Sequence, residues 1–452
     1  MLKAGFSEID ITPKRGVHLG GDVGRHRPAR WVRDRIYARA IALEQDGTRL
    51  LIIALELNGL NKADTDAVRR DISDRHGIPV GAIAVHAMQI HATPTLGFFG
   101  LSLSNPHIPE SKPWLHCGDA DYNLVIHEKI LEAAGAAIKD IKPVFVGWTR
   151  AVDGRLAFVR RYIMRDGKAK MLPGVMNKNI LAVESPADPE IGVVHFTDED
   201  LNNLGYLLNF TSHPVHGYPE YYVTGGWPGA WAKEMKAVSG RDTVPLVLNG
   251  LCGNVYHANH LDPGYDESDP RLIGKQLAED VRDAMRSLTV TEGPIGYISE
   301  TIEIKYRDID EAKLRRDRDY VKEHPEPVML EGQYESVSWD WMYAVSQIEV
   351  SEIARRDGVY KFEVQVFRIG DAALVFLEGE PFVEGQLKIK LASKAPLTMC
   401  VHLSNGYPGY LPTPEAIKRG GFEVEVIIAS KLEPAALDMV CDKSIELINR
   451  LF

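Results

Sequence analysis

Apolar runs of strand length alternate with stretches of helical period along nearly the whole chain. Residues 36–43 and 49–57 are two such runs around Gln45-Asp46-Gly47-Thr48, and the Asp-Gly pair predicts a hairpin. Residues 61–76 read as a polar helix and 82–88 as a strand. From His91 to Gly118 no helical period holds and Gly, Pro, Ser and Asn recur, which predicts a long loop of the kind that carries function. An Ala-rich helix follows over 122–139. Strands are expected at 144–152, 156–164, 191–196, 205–210 and 244–248, with a second turn at Arg165-Asp166-Gly167-Lys168. Helices are expected at 227–238 and 270–288, the latter with Leu272, Ile273, Leu277 and Val281 along one face. Beyond residue 295 come a strand to 306, helices over 309–323 and 334–356, strands over 360–369 and 372–377, and a closing helix over 434–451 with Pro434 in its first turn. No repeat or linker interrupts the pattern. The expected fold is mixed α/β, with central mixed β-sheets flanked by α-helices in one large domain over 1–452.

Composition narrows the function. With 452 residues, 45% of them hydrophobic, the chain buries a large core. A net charge of -11 argues against nucleic-acid partners and against anchoring on anionic lipid. No apolar run approaches the ~20 residues of a membrane span. The opening Met1-Leu2-Lys3-Ala4-Gly5-Phe6 lacks the basic and apolar regions of a secretory leader. Cys117, Cys252, Cys400 and Cys441 are scattered without a CxxC, as reduced thiols would be. A cytoplasmic protein with a small-molecule substrate is the expectation, and homo-oligomerisation stays open.

Metal-competent and polar side chains cluster where strands end. The first group is Gln89-Ile90-His91-Ala92-Thr93-Pro94, where strand alternation would send Gln89 and His91 to one side. The second is Asn209-Phe210-Thr211-Ser212-His213-Pro214-Val215-His216, in which His213 is the stronger candidate and His216 reads equally well as a surface or supporting residue. The third, Asn249-Gly250-Leu251-Cys252-Gly253-Asn254-Val255-Tyr256, follows the strand over 244–248; its Cys252 reads as a buried structural thiol. Last come Glu378-Gly379-Glu380-Pro381-Phe382 and the segment from Ser404 to Thr413. HExxH, Walker A, GxSxG and GxGxxG motifs are all absent. Histidine, glutamate and tyrosine at strand ends suit a borderline cation such as zinc with an open position for water.

In their order and combination these segments resemble the catalytic domain of the neutral/alkaline ceramidases and their bacterial relatives. The resemblance runs from Ala4-Gly5-Phe6-Ser7-Glu8-Ile9-Asp10-Ile11-Thr12-Pro13, through Phe158-Val159-Arg160-Arg161-Tyr162 and Cys252-Gly253-Asn254, to Asn405-Gly406-Tyr407-Pro408-Gly409-Tyr410-Leu411-Pro412-Thr413. It implies a zinc ion held by two His, one Glu and one Tyr, with His213, Glu380 and Tyr410 at three of these positions and Gln89 where the family has its first His. It also implies that His91 assists catalysis and that Arg160 contacts substrate. Gln89 as ligand implies weaker zinc affinity, a different divalent metal, or His91 as a replacement ligand. Tyr256 stands where the ceramidases have a Ser, and Phe422 where they have a Tyr. No C-terminal immunoglobulin-like domain is expected.

The reading is thus a metal-dependent hydrolase, with zinc or another divalent metal on Gln89 or His91 together with His213, Glu380 and Tyr410. It acts on a soluble small molecule, by analogy at an amide bond. His91, Arg160 and Tyr256 are the candidate catalytic residues; Arg160, His216 and Asn254 are the candidate substrate contacts. Two rivals stand beside it. One is an enzyme acting on a sugar derivative stacked on Trp227, Trp231, Trp339 or Trp341. The other is a metal-stabilised binding protein without catalysis.

Overall fold

A computed structural model describes residues 1–264 and 269–452. Three mixed sheets dominate it, and most of their strands lie where the apolar runs predict. The first sheet orders Ile83–Ala87, Thr48–Leu55, Tyr37–Gln45, Lys3–Asp10 and Lys142–Pro143 from edge to edge. Asp46 and Gly47, both at positive φ, close the expected hairpin between its two long central strands. The second sheet orders Val244–Asn249, Asn203–Phe210, Glu190–Thr197, Phe145–Val152 and Thr289–Thr291. The third orders Ile295–Lys305, Val359–Ile369, Ala372–Leu377 and Leu397–Val401.

Each sheet contains one parallel pair in an otherwise antiparallel ladder. These are Thr48–Leu55 with Ile83–Ala87, Asn203–Phe210 with Val244–Asn249, and Ala372–Leu377 with Leu397–Val401. Parallel strands need a crossover, and the sequence supplies helices for it: Lys62–His76, Gly226–Ser239 and Val383–Ala392. Asn61 caps the first of these, accepting from the amides of Ala63 and Asp64. The helix Ala120–Lys139 lies on Lys3–Asp10 so closely that a Cβ on Gly5 would come within 2.1 Å of the Ala137 carbonyl. Phe6 meets Phe196 edge-on at 5.6 Å, joining the first sheet to the second.

Three expectations about the elements need correction. The helix predicted from 334 begins at Trp339, because the backbone of Glu335 and Val337 bonds to His26 and Gly24 instead. On the helix Pro270–Ala284, Ile273, Leu277 and Val281 are buried but Leu272 is exposed, off the buried stripe. The strand expected over 156–164 is broken into Phe158–Val159 and Arg161–Met164, with Arg160 at the break.

Arg69 joins the first sheet to the third. It is buried, donates to the carbonyls of Ile83 and Val80, and forks onto both carboxylate oxygens of Glu363 at 2.6 and 2.8 Å. Burial pushes the Glu363 carboxyl up, but Arg69, Ser299 and Lys62 outweigh it and leave its pKa below the usual value of 4.5. A lowered pKa in the folded state means the stabilisation is complete above about pH 4.5 and fades as pH falls through the folded pKa. Glu363→Gln should therefore cost about 2 kcal/mol at pH 7 in denaturant unfolding. That deficit should shrink in acid; a deficit that grew below pH 4.5 would contradict the assignment.

Candidate active site

The C-terminal ends of the three parallel pairs meet at one place, and a knot of buried polar groups joins them. The amide of Asn249, at the end of the second sheet, donates to His86 Nε2 of the first at 3.1 Å. Its carbonyl accepts from the amide of His402, at the end of the third, at 3.2 Å. The Asn249 side chain donates to the carbonyls of Met88 and Ser212 at 3.0 and 3.1 Å. His86 Nδ1 lies 2.7 Å from the His402 carbonyl, which sets His86 as the neutral Nδ1–H tautomer. Every strand end thus leaves the knot in a fixed direction.

From the first sheet the chain passes Gln89 to His91. Strand pairing stops at Ala87 and Gln89 sits at φ 67°, in the left-handed region, so alternation is not what sets these side chains. Both nevertheless face one cavity. Arg27, fully buried, fixes the turn by donating to the carbonyls of His91, Gly20 and Glu220. His91 Nε2 stands 2.8 Å from Nε2 of His213, which follows the second sheet. Burial first, then the charges of Arg27 and Arg160, lower the His91 pKa to about 3; burial and Arg160 lower that of His213 as well. Both imidazoles are therefore neutral at pH 7.

Arg160 is the cation of the site. Its break in the strand turns the side chain inward, where Nη1 lies 3.3 Å from His213 Nδ1. Nη2 donates to the Gly253 carbonyl at 2.8 Å and to the Tyr410 hydroxyl at 3.1 Å, and Nε donates to Glu423 at 3.0 Å. Its neighbour Arg161 also reaches Glu423, at 2.7 Å, and pairs with Glu184.

Glu380 and Tyr410 sit side by side because Glu380–Pro381 pairs in parallel with Tyr410–Leu411. Glu380 Oε1 accepts from the Tyr407 hydroxyl at 2.8 Å, while Oε2 is buried without a hydrogen-bond partner among the described residues. Burial raises the Glu380 pKa, opposed by Gln89, Arg160, Tyr407 and Tyr410. Burial and Glu380 likewise raise that of Tyr410. A divalent cation would draw on the orphaned carboxylate oxygen, the Gln89 amide and the Tyr410 phenol, which line the cavity, and His213 Nε2 would join them only on leaving its contact with His91. Among the described residues no group of three or more His, Cys, Asp or Glu side chains is arranged to hold a metal, so a cation here depends on the amide and the phenol. The 2.8 Å between the imidazoles is a hydrogen-bond distance; tetrahedral zinc ligands at about 2.0–2.1 Å would stand farther apart.

The cavity measures about 370 Å³. Gln89, His91, Arg160, Tyr256, Glu380 and Tyr410 are part of its polar wall, and Trp339, Met342, Phe422 and Leu172 are part of its apolar one. His213 lies behind His91 and Arg160, fully buried. Two expected substrate contacts do not line it. Asn254 is held by the Val383 amide and by Glu384, and His216 is buried against the ring of His257 at 3.9 Å. Cys252 is buried 3.6 Å from Gln89 Oε1 and from His402 Nδ1, and burial raises its thiol pKa well above the usual value, as a structural cysteine requires. Of the four tryptophans considered for ring stacking, Trp227, Trp231 and Trp341 are wholly buried in the core and only Trp339 lines the cavity.

Sequence reasoning missed Arg27, Tyr407 and Glu423. Tyr407 had a signal, since it lies three residues before Tyr410 in the same aromatic turn; the other two carry none.

Glu423 is wholly buried between two guanidinium groups. Arg160→Met should destabilise the protein by about 3 kcal/mol in denaturant unfolding, by leaving that carboxylate undercompensated. The double variant Arg160→Met/Glu423→Gln should recover part of the loss; no recovery would place the cost elsewhere.

The sequence matches no protein-family model and no curated protein. Solved structures do match. The crystal structure of neutral ceramidase from Pseudomonas aeruginosa gives a TM-score of 0.73 at 15% sequence identity, covering 100% of this chain and 74% of that one. A ceramidase complexed with C2 gives 0.72 at 14% identity, covering 100% and 75%. Over its whole length, this chain has the fold of the neutral ceramidase structures.

Proposed function

We propose that the chain is a hydrolase that cleaves an amide bond in a small molecule bound in the 370 Å³ cavity, with His91 as its proton-transfer group. The observation that carries this reading is a neutral, half-buried imidazole on the cavity wall, backed at 2.8 Å by a second neutral imidazole that a fixed guanidinium flanks. The amide bond comes from the ceramidases whose fold it shares, by analogy.

Once His213 turns from it to a cation, His91 Nε2 takes a proton from the attacking water and returns it to the leaving amine. The ring's proton sits on Nδ1, where the Gly21 carbonyl favours it, leaving Nε2 as the acceptor. Arg160 has already committed donors to Glu423, Gly253 and Tyr410, so its charge is fixed in place before substrate arrives and stabilises a developing oxyanion. A divalent cation held by Gln89, His213, Glu380 and Tyr410 would polarise the scissile carbonyl and lower the pKa of a bound water. Tyr256 closes the polar wall beside these groups. The apolar wall excludes water from the reacting groups and so strengthens every charge interaction among them.

Turnover of a panel of small N-acyl amides by metal-loaded protein tests this reading. His91→Ala should lower kcat by about 10²–10⁴-fold with the unfolding midpoint unchanged. His213→Ala and Glu380→Ala should each lose bound metal, measured by elemental analysis. Stoichiometric metal with no turnover on any amide would favour a binding protein instead.

A further inference from the structure

A second cavity, of about 540 Å³, shares no lining residue with the first. It lies between the strands Lys3–Asp10 and Tyr37–Gln45, the loop that follows Trp31–Val32 and one face of the helix Gly226–Ser239. Its volume falls in the range of small-molecule sites. Seven lysine and arginine side chains line it against four carboxylates, whereas the whole chain carries a net charge of -11, so the charge of the molecule is locally reversed here.

Three of the four carboxylates are occupied within the wall. Glu8 accepts from Arg39 at 2.7 Å and from Lys236 at 2.6 Å. Glu56, wholly buried, pairs with Arg39 and accepts from the Tyr37 amide. Asp34 accepts from the Thr224 hydroxyl at 2.6 Å. The fourth, Glu234, makes no hydrogen bond or ion pair among the described residues. The cations divide in a different way. Arg35 and Arg271 pair with Asp10 and Asp269, just outside the lining. Arg33, Lys233 and Arg241 donate no side-chain hydrogen bond to any described residue, and Arg33 comes no closer than 3.8 Å to Asp34 and Asp269. These three come from a loop, from the helix and from the turn beyond it. Like charges brought to one cavity from separate segments repel one another, and a bound anion relieves that repulsion.

We propose that this cavity binds a compact oxyanion of two or more charges, of the phosphate or polycarboxylate class. Three uncommitted cations opposed by one carboxylate leave a surplus of two, which sets the charge of the ligand. The guanidinium groups of Arg33 and Arg241 and the ammonium of Lys233 donate to its oxygens, over a floor held rigid by the ion pairs of Arg39. The inference does not rest on the hydrolase reading.

Titration calorimetry with inorganic pyrophosphate and with citrate tests it. One anion should bind per chain, at least about fivefold more weakly when salt is raised from about 0.02 to about 0.2 M. Arg33→Gln, Lys233→Gln and Arg241→Gln should each weaken binding by about three- to tenfold. Glu234→Gln should tighten it by about threefold, a gain that no folding defect produces. Lys361→Gln, at an exposed position on the third sheet, should leave it unchanged. Tighter binding of pyrophosphate assigns the site to phosphate compounds, and tighter binding of citrate assigns it to polycarboxylates. No binding of either anion, a loss in Lys361→Gln equal to that in the three lining variants, or unchanged affinity in Glu234→Gln would overturn the proposal.

Discussion

The architecture depends on the saturation of buried backbone groups where three sheets end together. Strand ends carry amides and carbonyls that a ladder no longer pairs, and inside a protein each must find another partner. Asn249 resolves this with one residue, whose backbone and side chain reach His86, Met88, Ser212 and His402. The ends of three sheets are thereby locked in mutual register. His91, His213 and Glu380, far apart in the chain, inherit their positions from it. A hydrophobic residue at 249 could pack there but could not satisfy these groups.

Charge is the second constraint. Arg160, Glu380 and His91 on the cavity wall are backed by Arg161, Glu184, Glu423 and His213, which have little access to solvent. Such an arrangement is stable only as a set, because each carboxylate is expensive to bury without its guanidinium. It also leaves Glu380 differently placed from its neighbours. Glu184 and Glu423 are paired with arginine, whereas Glu380 accepts from a phenol on one oxygen and, among the described residues, has no hydrogen-bond partner on the other. The same electrostatics separate a structural carboxylate from one held ready for a ligand.

Much of the secondary structure was legible, because strand-length apolar runs and the Asp-Gly turn act locally. The site was legible only in part. His213, Glu380 and Tyr410 stood out through motif order, since no spacing rule links residues brought together by three separate crossovers. Gln89 and His91 share a cavity as expected, yet through a left-handed turn and the grip of Arg27 rather than through strand alternation. Asn254 and His216 looked like site residues because they sit in polar motifs, but those motifs also contain the groups that satisfy buried backbone. Arg27 and Glu423 act through long-range contacts, which leave no periodic trace in a single sequence.

Glu423 has one further consequence, for anyone wishing to reshape the cavity. It holds both arginines, and Phe422 beside it forms part of the apolar wall. Loop insertions or deletions near residue 422 would move a counter-ion along with the surface they aim to enlarge. The helix Trp339–Asp357 lends Trp339 and Met342 to that wall without touching the arginine cluster through either side chain's polar atoms. Libraries that vary those two positions offer the route to altered selectivity that leaves the ionic scaffold intact.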